Sequence, residues 1–312
     1  MDHHLPQLAG NTREELLDRL KKAQETAEAR KEKNYTAIGV FLFFLICLIS
    51  FSFNQTEWVK ESPVRFVTIS LVLTFLIYLA LWRSKSGPIR QFKNEVIKII
   101  IKHLIPEITY QPSDNLSASN LRGARLFKYK SEKARGEDLF TGKRGNTSFR
   151  FSEIKTKLDD QYTFKGILIK CFGDFPIKKS IRIYSRDAMY IYSSKNMSMI
   201  DLSKSHPHFN KAFKVIGYSE ENYINIINDR VLSQLQDIKQ AFNGPIYISL
   251  FPKSAHIAIE TPHNYFEPNL KKELNLDQVT RIYNQIIQCL LAVDIIDEIS
   301  TGVKSENKRL RD

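Results

Sequence analysis

Two stretches near the N-terminus carry no charged residue: Tyr35 to Phe53, YTAIGVFLFFLICLISFSF, and Phe66 to Trp82, FVTISLVLTFLIYLALW. At about 1.5 Å per residue the first spans about 28 Å, close to the ~30 Å hydrocarbon core of a bilayer. The second is slightly shorter, and Val64 with a snorkelling Arg65 extends it. Only a short polar loop separates them, so the pair reads as a transmembrane hairpin. Tyr35, Trp58 and Trp82 fall at its expected interfaces, where amphipathic rings are favoured. Ahead of it, Asn11 to Lys33 reads as a helix opened by a Thr12–Glu15 capping box. Its stripe of Leu16, Leu17, Leu20, Ala23 and Ala27 is narrow and rich in alanine. A solvated helix leading to the membrane is therefore preferred over a short coiled-coil contact.

Beyond the second run, Ile89, Phe92, Val96, Ile99, Ile100 and Leu104 recur at helical spacing, predicting a helix from Arg83 to Ile105. Gln111 to Arg122 is polar and turn-rich, a join. The period then changes to that of strands. Asp138–Thr141 and Thr147–Thr156 flank a Gly142 to Asn146 turn, followed by Thr163–Phe172, Ser180–Tyr184, the short Met189–Ser193 and Met197–Leu202, and Lys214–Tyr218. Pro207 to Phe213 reads as one or two helical turns, and Glu220 to Phe242 as a helix ending at Asn243-Gly244. Ile246–Phe251 and Ala255–Glu260 form a hairpin, and Asp277 to Ile299 a closing helix. Strands in series with helices near the end predict an α+β fold: a transmembrane hairpin, then a soluble domain with a mainly antiparallel sheet and flanking helices. The expected boundaries are 1–34 for the N-terminal helix, 35–82 for the hairpin, 83–106 for a basic juxtamembrane helix, 107–302 for the soluble domain and 303–312 for a disordered charged tail.

The net charge of +12 raises two classes of partner, nucleic acid and anionic membrane, and its distribution favours the second. Arg30, Lys31 and Lys33 precede the hairpin, and Arg83, Lys85, Arg90 and Lys93 follow it, whereas the connecting loop has only Lys60, with Arg65 at its edge. Lys and Arg resist translocation, so both termini are expected in the cytosol. Arg90, Lys93, Lys98 and Lys102 are opposed only by Glu95 on their helix, which predicts contact with anionic lipid headgroups. Cys47, Cys171 and Cys289 lack any CxxC spacing, which argues for a reducing compartment and against a disulfide framework or a zinc site.

Several segments, taken in order, resemble a bacterial family named only as domain of unknown function 3137. They are Gly136 to Gly142 running on to Phe151-Ser152-Glu153, Phe164 to Leu168, His208 to Val215, the Ile246 to Glu260 hairpin and Phe266-Glu267-Pro268. The resemblance covers Glu107 to Glu298 and departs from the family pattern across Ser219 to Arg230. It implies a cytosolic domain behind two helices of the bacterial inner membrane, and it supplies no catalytic residue.

The residues themselves point the same way. Asp159 and Asp160 are adjacent carboxylates, which a turn explains best. His206 and His208 flank Pro207 without a third ligand, so a loop is preferred over a metal site. Ser152-Glu153 lacks a neighbouring histidine and suits packing or turn bonding rather than nucleophilic chemistry. Gly142-Lys143-Arg144-Gly145 resembles an RNA-gripping GxxG loop, but flanking strands make it a hairpin turn. Tyr184, Tyr190 and Tyr192 read as sheet residues rather than base-stacking rings. The expected function is a membrane-tethered binding or scaffold module, with the lipid bilayer and a membrane protein as partners and with no cofactor, metal or nucleic acid. The alternatives are an enzyme acting on a membrane-proximal substrate and, ranked below it, nucleic-acid binding through the basic surface.

Overall fold

The computed structural model describes residues 10–53, 72, 76, 86–128, 133–158, 162–218, 226 and 228–309. The chain divides into two compact units, one comprising 8–97 with 268–278, the other chiefly 98–267 with 279–312.

In the first unit, helix α1 (Gly10–Phe53) continues unbroken from the polar N-terminal segment through the first charge-free run. Its Leu16, Leu20, Ala23 and Ala27 are buried. The expected solvated helix is thereby corrected: the stripe packs, at i, i+4, i+7 and i+11 spacing, against α2 (Ser86–Phe92) and the π-helical turn Lys93–Ile97 that follows it. Arg19 reaches Glu95 at 3.7 Å, and Gln24 Oε1 accepts the Leu274 N–H at 3.0 Å. The second charge-free run lies outside the described residues apart from Val72 and Leu76, which are helical and exposed. Trp58 and Trp82 also lie outside them.

The second unit begins with α3 (Lys98–Leu104) and is built on one nine-stranded sheet. Its strands are β1 (Ile108–Gln111), β2 (Ala134–Arg144), β3 (Thr147–Lys157), β4 (Thr163–Phe172), β5 (Ile181–Ser185), β6 (Ser198–Ile200), β7 (Phe213–Gly217), β8 (Ile246–Phe251) and β9 (Ser254–Glu260). They lie in the order β1-β2-β3-β4-β9-β8-β5-β7-β6, with every pairing antiparallel. The fold class is thus α+β, an antiparallel sheet with flanking helices. Met189 to Ser193, expected as a strand, makes only an isolated bridge, Ile191 with Phe127. The polar join instead contains α4 (Ala118–Ala124), ended by Arg125 in the left-handed conformation.

Each face of the sheet has its own cover. On one face Ile154, Phe164, Leu168, Tyr184, Tyr247 and Ala258 form a cluster with Leu121, Ala124, Leu126 and Phe127 of α4 and the segment after it. The other face presents Ile167, Ile169, Cys171, Ile257 and Ile259, all buried. The remaining helices are α5 (Pro207–Ala212), α6 (Asp229–Phe242) and α7 (Leu276–Arg309). Asn228 caps α6, its side chain accepting the Val231 N–H, and Asn243 ends that helix in the left-handed conformation. Leu276–Thr301 is long and apolar enough to cross a membrane, yet more than half of it is buried. Val279, Ile282, Ile286, Cys289, Leu290, Val293 and Ile296 are core residues, which makes α7 the domain's closing helix. As described, α7 runs on to Arg309, past Val303, where the charged tail was expected to begin.

Candidate functional site

The β2–β3 turn fixes the first sequence candidate. Gly145 adopts a φ of 54°, which glycine tolerates, and the Arg144 guanidinium pairs with Asp294 of α7 at 2.9 Å and with Glu107 at 3.1 Å. The Asn146 N–H donates to Asp297 at 2.9 Å. The GxxG segment is therefore a hairpin tip clamped to the closing helix, with its arginine already engaged by carboxylates.

Ser152 and Glu153 sit in the middle of β3 and point to opposite faces. Ser152 Oγ accepts the Leu116 N–H at 2.9 Å, tying the segment before α4 to the sheet. Glu153 is buried, and its Oε2 accepts the Tyr265 N–H at 2.8 Å. Burial pushes its pKa up to about 7 against that hydrogen bond, and the nearby Asp138 and Glu267 add to the rise. Asp138 occupies a β2 bulge at φ 62° and accepts the Tyr110 O–H at 2.5 Å. Segments that are distant in sequence, around Asp138, Glu153 and Phe266, thus converge, and Phe140 stacks on Phe151 and meets Phe266. The packing role expected of Ser152-Glu153 is what the geometry gives.

His206 Nδ1 lies 3.1 Å from Asp229, at the entry to α6, and among the described residues no three His, Cys, Asp or Glu side chains gather as a metal site. Asp159 and Asp160 lie outside the described residues. Tyr184 is buried, its O–H shared between the Leu126 and Tyr192 carbonyls, while the Tyr190 ring lies tilted, 4.5 Å from that of Tyr162, whose O–H donates to Glu260 at 2.5 Å. Tyr184 is thus a core residue of β5, whereas Tyr190 and Tyr192 lie in the loop after it. Arg90, Lys98 and Lys102 are exposed, but Lys93 is 2% exposed in the π-helical turn. Lys93 is therefore removed from the cations available to a headgroup, because the wider turn rotates it inward with Val96 and Ile97.

A second constellation went unrecognised in the sequence. Arg182 on β5, Ser249 on β8, His256 on β9, Lys170 on β4 and Arg150 on β3 stand opposite one another in register, so they share one face. Arg182 is 1% exposed. Its Nε and Nη1 donate to the carbonyls of Arg125 and Ile181 at 3.0 Å, and its guanidinium lies 4.6 Å from the Phe251 ring centre. Lys170 Nζ donates to Asn120 of α4 at 3.0 Å. Burial, reinforced by Lys170 and Arg182, pulls the His256 pKa down to about 3, so the ring is neutral. The signal available in sequence was one polar residue breaking each apolar strand: Lys170 in ILIKCF, Arg182 in IRIY, Ser249 in IYISLF and His256 in AHIAIE.

A family model described as "Protein of unknown function (DUF3137)" matches residues 162–300. These residues form a DUF3137 domain. The matched span holds β4 to β9 and most of α7, and begins later than the Glu107 start that the resemblance suggested. Lys170, Arg182, Ser249 and His256 all belong to the DUF3137 domain, whereas Arg150 and Asn120 come from the preceding part of the sheet unit. A search of curated proteins finds no match. Among solved structures, the crystal structure of the mycobacterial trehalose monomycolate transport factor A, TtfA, is similar at 6% identity. The likeness covers 57% of this chain and 85% of that one with a TM-score of 0.32, too distant to carry a functional argument.

Proposed function

We propose that this chain is an inner-membrane protein whose two-helix hairpin tethers the DUF3137-containing unit to the cytosolic face, where that unit acts as a binding or scaffold module. The observation that carries the reading is the exposure of apolar side chains within the two charge-free runs. Tyr35 is 73% exposed and Ile38 42% in the first, and Val72 is 52% and Leu76 55% in the second. Helices that leave such side chains uncovered need an apolar surrounding, which a bilayer supplies while each helix satisfies its own backbone. The excess of Lys and Arg on the outer flanks sets both termini in the cytosol. Arg90, Lys98 and Lys102 are then the cations offered to anionic headgroups, each contributing about 1 kcal/mol near the surface. Confinement by the hairpin raises the effective concentration of the sheet unit for membrane-associated partners.

Topology tests this reading. In a chain with the native cysteines replaced, a cysteine at Gln55 is expected to react with an impermeant thiol reagent on cells stripped of any outer membrane. A cysteine at Ser305 is expected to react only after permeabilisation. Labelling at Ser305 in intact cells would place the domain on the other side.

A further inference from the structure

One row of side chains on the α4-covered face of the sheet is polar where the adjacent row is apolar. Tyr184, Tyr247, Ala258 and Leu168 make the apolar row, in register across β5, β8, β9 and β4. Two residues further along the same strands stand Arg182, Ser249, His256 and Lys170. Three strand spacings of ~4.8 Å set the ends of this row roughly 14 Å apart. Arg150 continues the row on β3, and it is exposed.

The middle of the row is unfinished. Ser249 is 0% exposed and His256 3%, yet Ser249 Oγ and His256 Nδ1 are buried without a hydrogen-bond partner. Burying such groups unpaired works against folding. They are flanked by two cations, and among the described residues neither is paired with a carboxylate. Lys170 is held by the Asn120 amide, and Arg182 by two backbone carbonyls. The Arg182 bonds use Nε and Nη1, so Nη2 takes part in neither. Arg182 therefore has a structural duty, holding the end of α4, but that duty leaves Ser249 and His256 unexplained.

What the row lacks is an acceptor with negative charge. We propose that Lys170, His256, Ser249 and Arg182 form a binding site for a phosphate-type oxyanion. Ser249 O–H and the Nδ1–H tautomer of neutral His256 donate from the floor, and the Lys170 ammonium and Arg182 guanidinium supply charge from either side. Donors converging from several strands suit a tetrahedral oxyanion better than a planar carboxylate, which a single arginine fork already satisfies. Access lies on the β3–β4 side, where Arg150 is exposed and Phe172 is 38% exposed. Breaking the Asn120–Lys170 hydrogen bond frees the ammonium for the ligand. The oxyanion could belong to a soluble phosphate compound or to a lipid headgroup.

The test uses the full chain labelled with [13C]histidine, in a maltoside detergent that carries no phosphate. The His256 imidazole signal is assigned with H256Q. Added inorganic phosphate is expected to move that signal saturably and to raise the unfolding temperature. Lys170→Met and Ser249→Ala are each expected to weaken the dissociation constant about tenfold, as for loss of one hydrogen bond to a charged group. Ser249→Ala is the informative variant for folding, because it removes an unpaired hydroxyl and should leave the unfolding temperature unchanged or higher. In a second arm the chain is transferred to phosphatidylglycerol nanodiscs without free phosphate. A shifted His256 signal there identifies a headgroup as the source, and its absence, with a response to phosphate, identifies a soluble one. A His256 signal that moves in neither arm, or phosphate titrations of both variants that match the native chain, would overturn the site.

Discussion

A carboxyl packed beneath Tyr265, with one backbone N–H for a partner, costs free energy to ionise. For Glu153 that cost appears as a pKa moved from 4.5 to about 7 in the folded chain. The folded state therefore holds its proton more tightly than the unfolded state. The associated stability is fully present below pH 4.5 and is lost as the pH rises through 7, about 3 kcal/mol at ~1.4 kcal/mol per pKa unit. Glu153→Gln keeps an acceptor for the Tyr265 N–H but cannot ionise. It is expected to leave stability nearly unchanged at pH 5 and to raise it at pH 8, read as thermal unfolding of the full chain in detergent. His256 acts in the opposite sense, costing stability as the pH falls from 6.5 towards 3, but it is present in both proteins and cancels. Parallel pH profiles for the two chains would mean that Glu153 is ionised in the fold at little cost. Sequence suggested that Ser152-Glu153 packs rather than reacts, since no histidine stood nearby. It did not disclose the Asp138 and Glu267 neighbours, because a bulge in β2 and the loop after β9 bring them there.

At the scale of elements, local pattern and close packing can be separated by two glycines. Gly166 lies mid-β4, where an added Cβ would stand 1.9 Å from the Ile259 carbonyl oxygen of β9. Gly166→Ala must part the two central strands and is expected to lower stability by at least ~2 kcal/mol. Gly123 lies within α4 with nothing within 4 Å of an added Cβ, so Gly123→Ala is expected to raise stability by about 0.5–1 kcal/mol. Pulse proteolysis in urea measures both, and effects of equal sign would contradict this reading of the β4–β9 contact. β4 was legible to the residue, Thr163 to Phe172, because an apolar run, Ile167-Leu168-Ile169, is flanked on each side by alternating polar and apolar positions. β1 was missed because four residues carry too little pattern, and α4 because its Ser, Asn and Gly read as a turn. The row from Arg182 to Arg150 was invisible for a different reason. Its members share a face only because β9 and β8 insert between β4 and β5, an order that no local periodicity encodes.

At the scale of the whole molecule, two charge-free runs and an antiparallel sheet unit belong to one basic chain. The sheet unit has its core on both faces and its own closing helix, which is long and apolar enough to cross a membrane yet is more than half buried. Length and apolarity therefore do not by themselves separate a core helix from a membrane helix. On the proposed reading the difference is burial: α7 is largely covered, whereas Tyr35, Ile38, Val72 and Leu76 are exposed. The central claim is that residues 35–82 insert in the bilayer and hold the rest of the chain there. Alkaline carbonate extraction of isolated membranes tests this most directly, comparing the full chain with one in which Asn34 is joined to Arg83. The full chain is expected to stay in the pellet and the shortened chain to be released, because peripheral contacts through Arg90, Lys98 and Lys102 do not survive the wash. Release of the full chain under the same conditions would contradict the account.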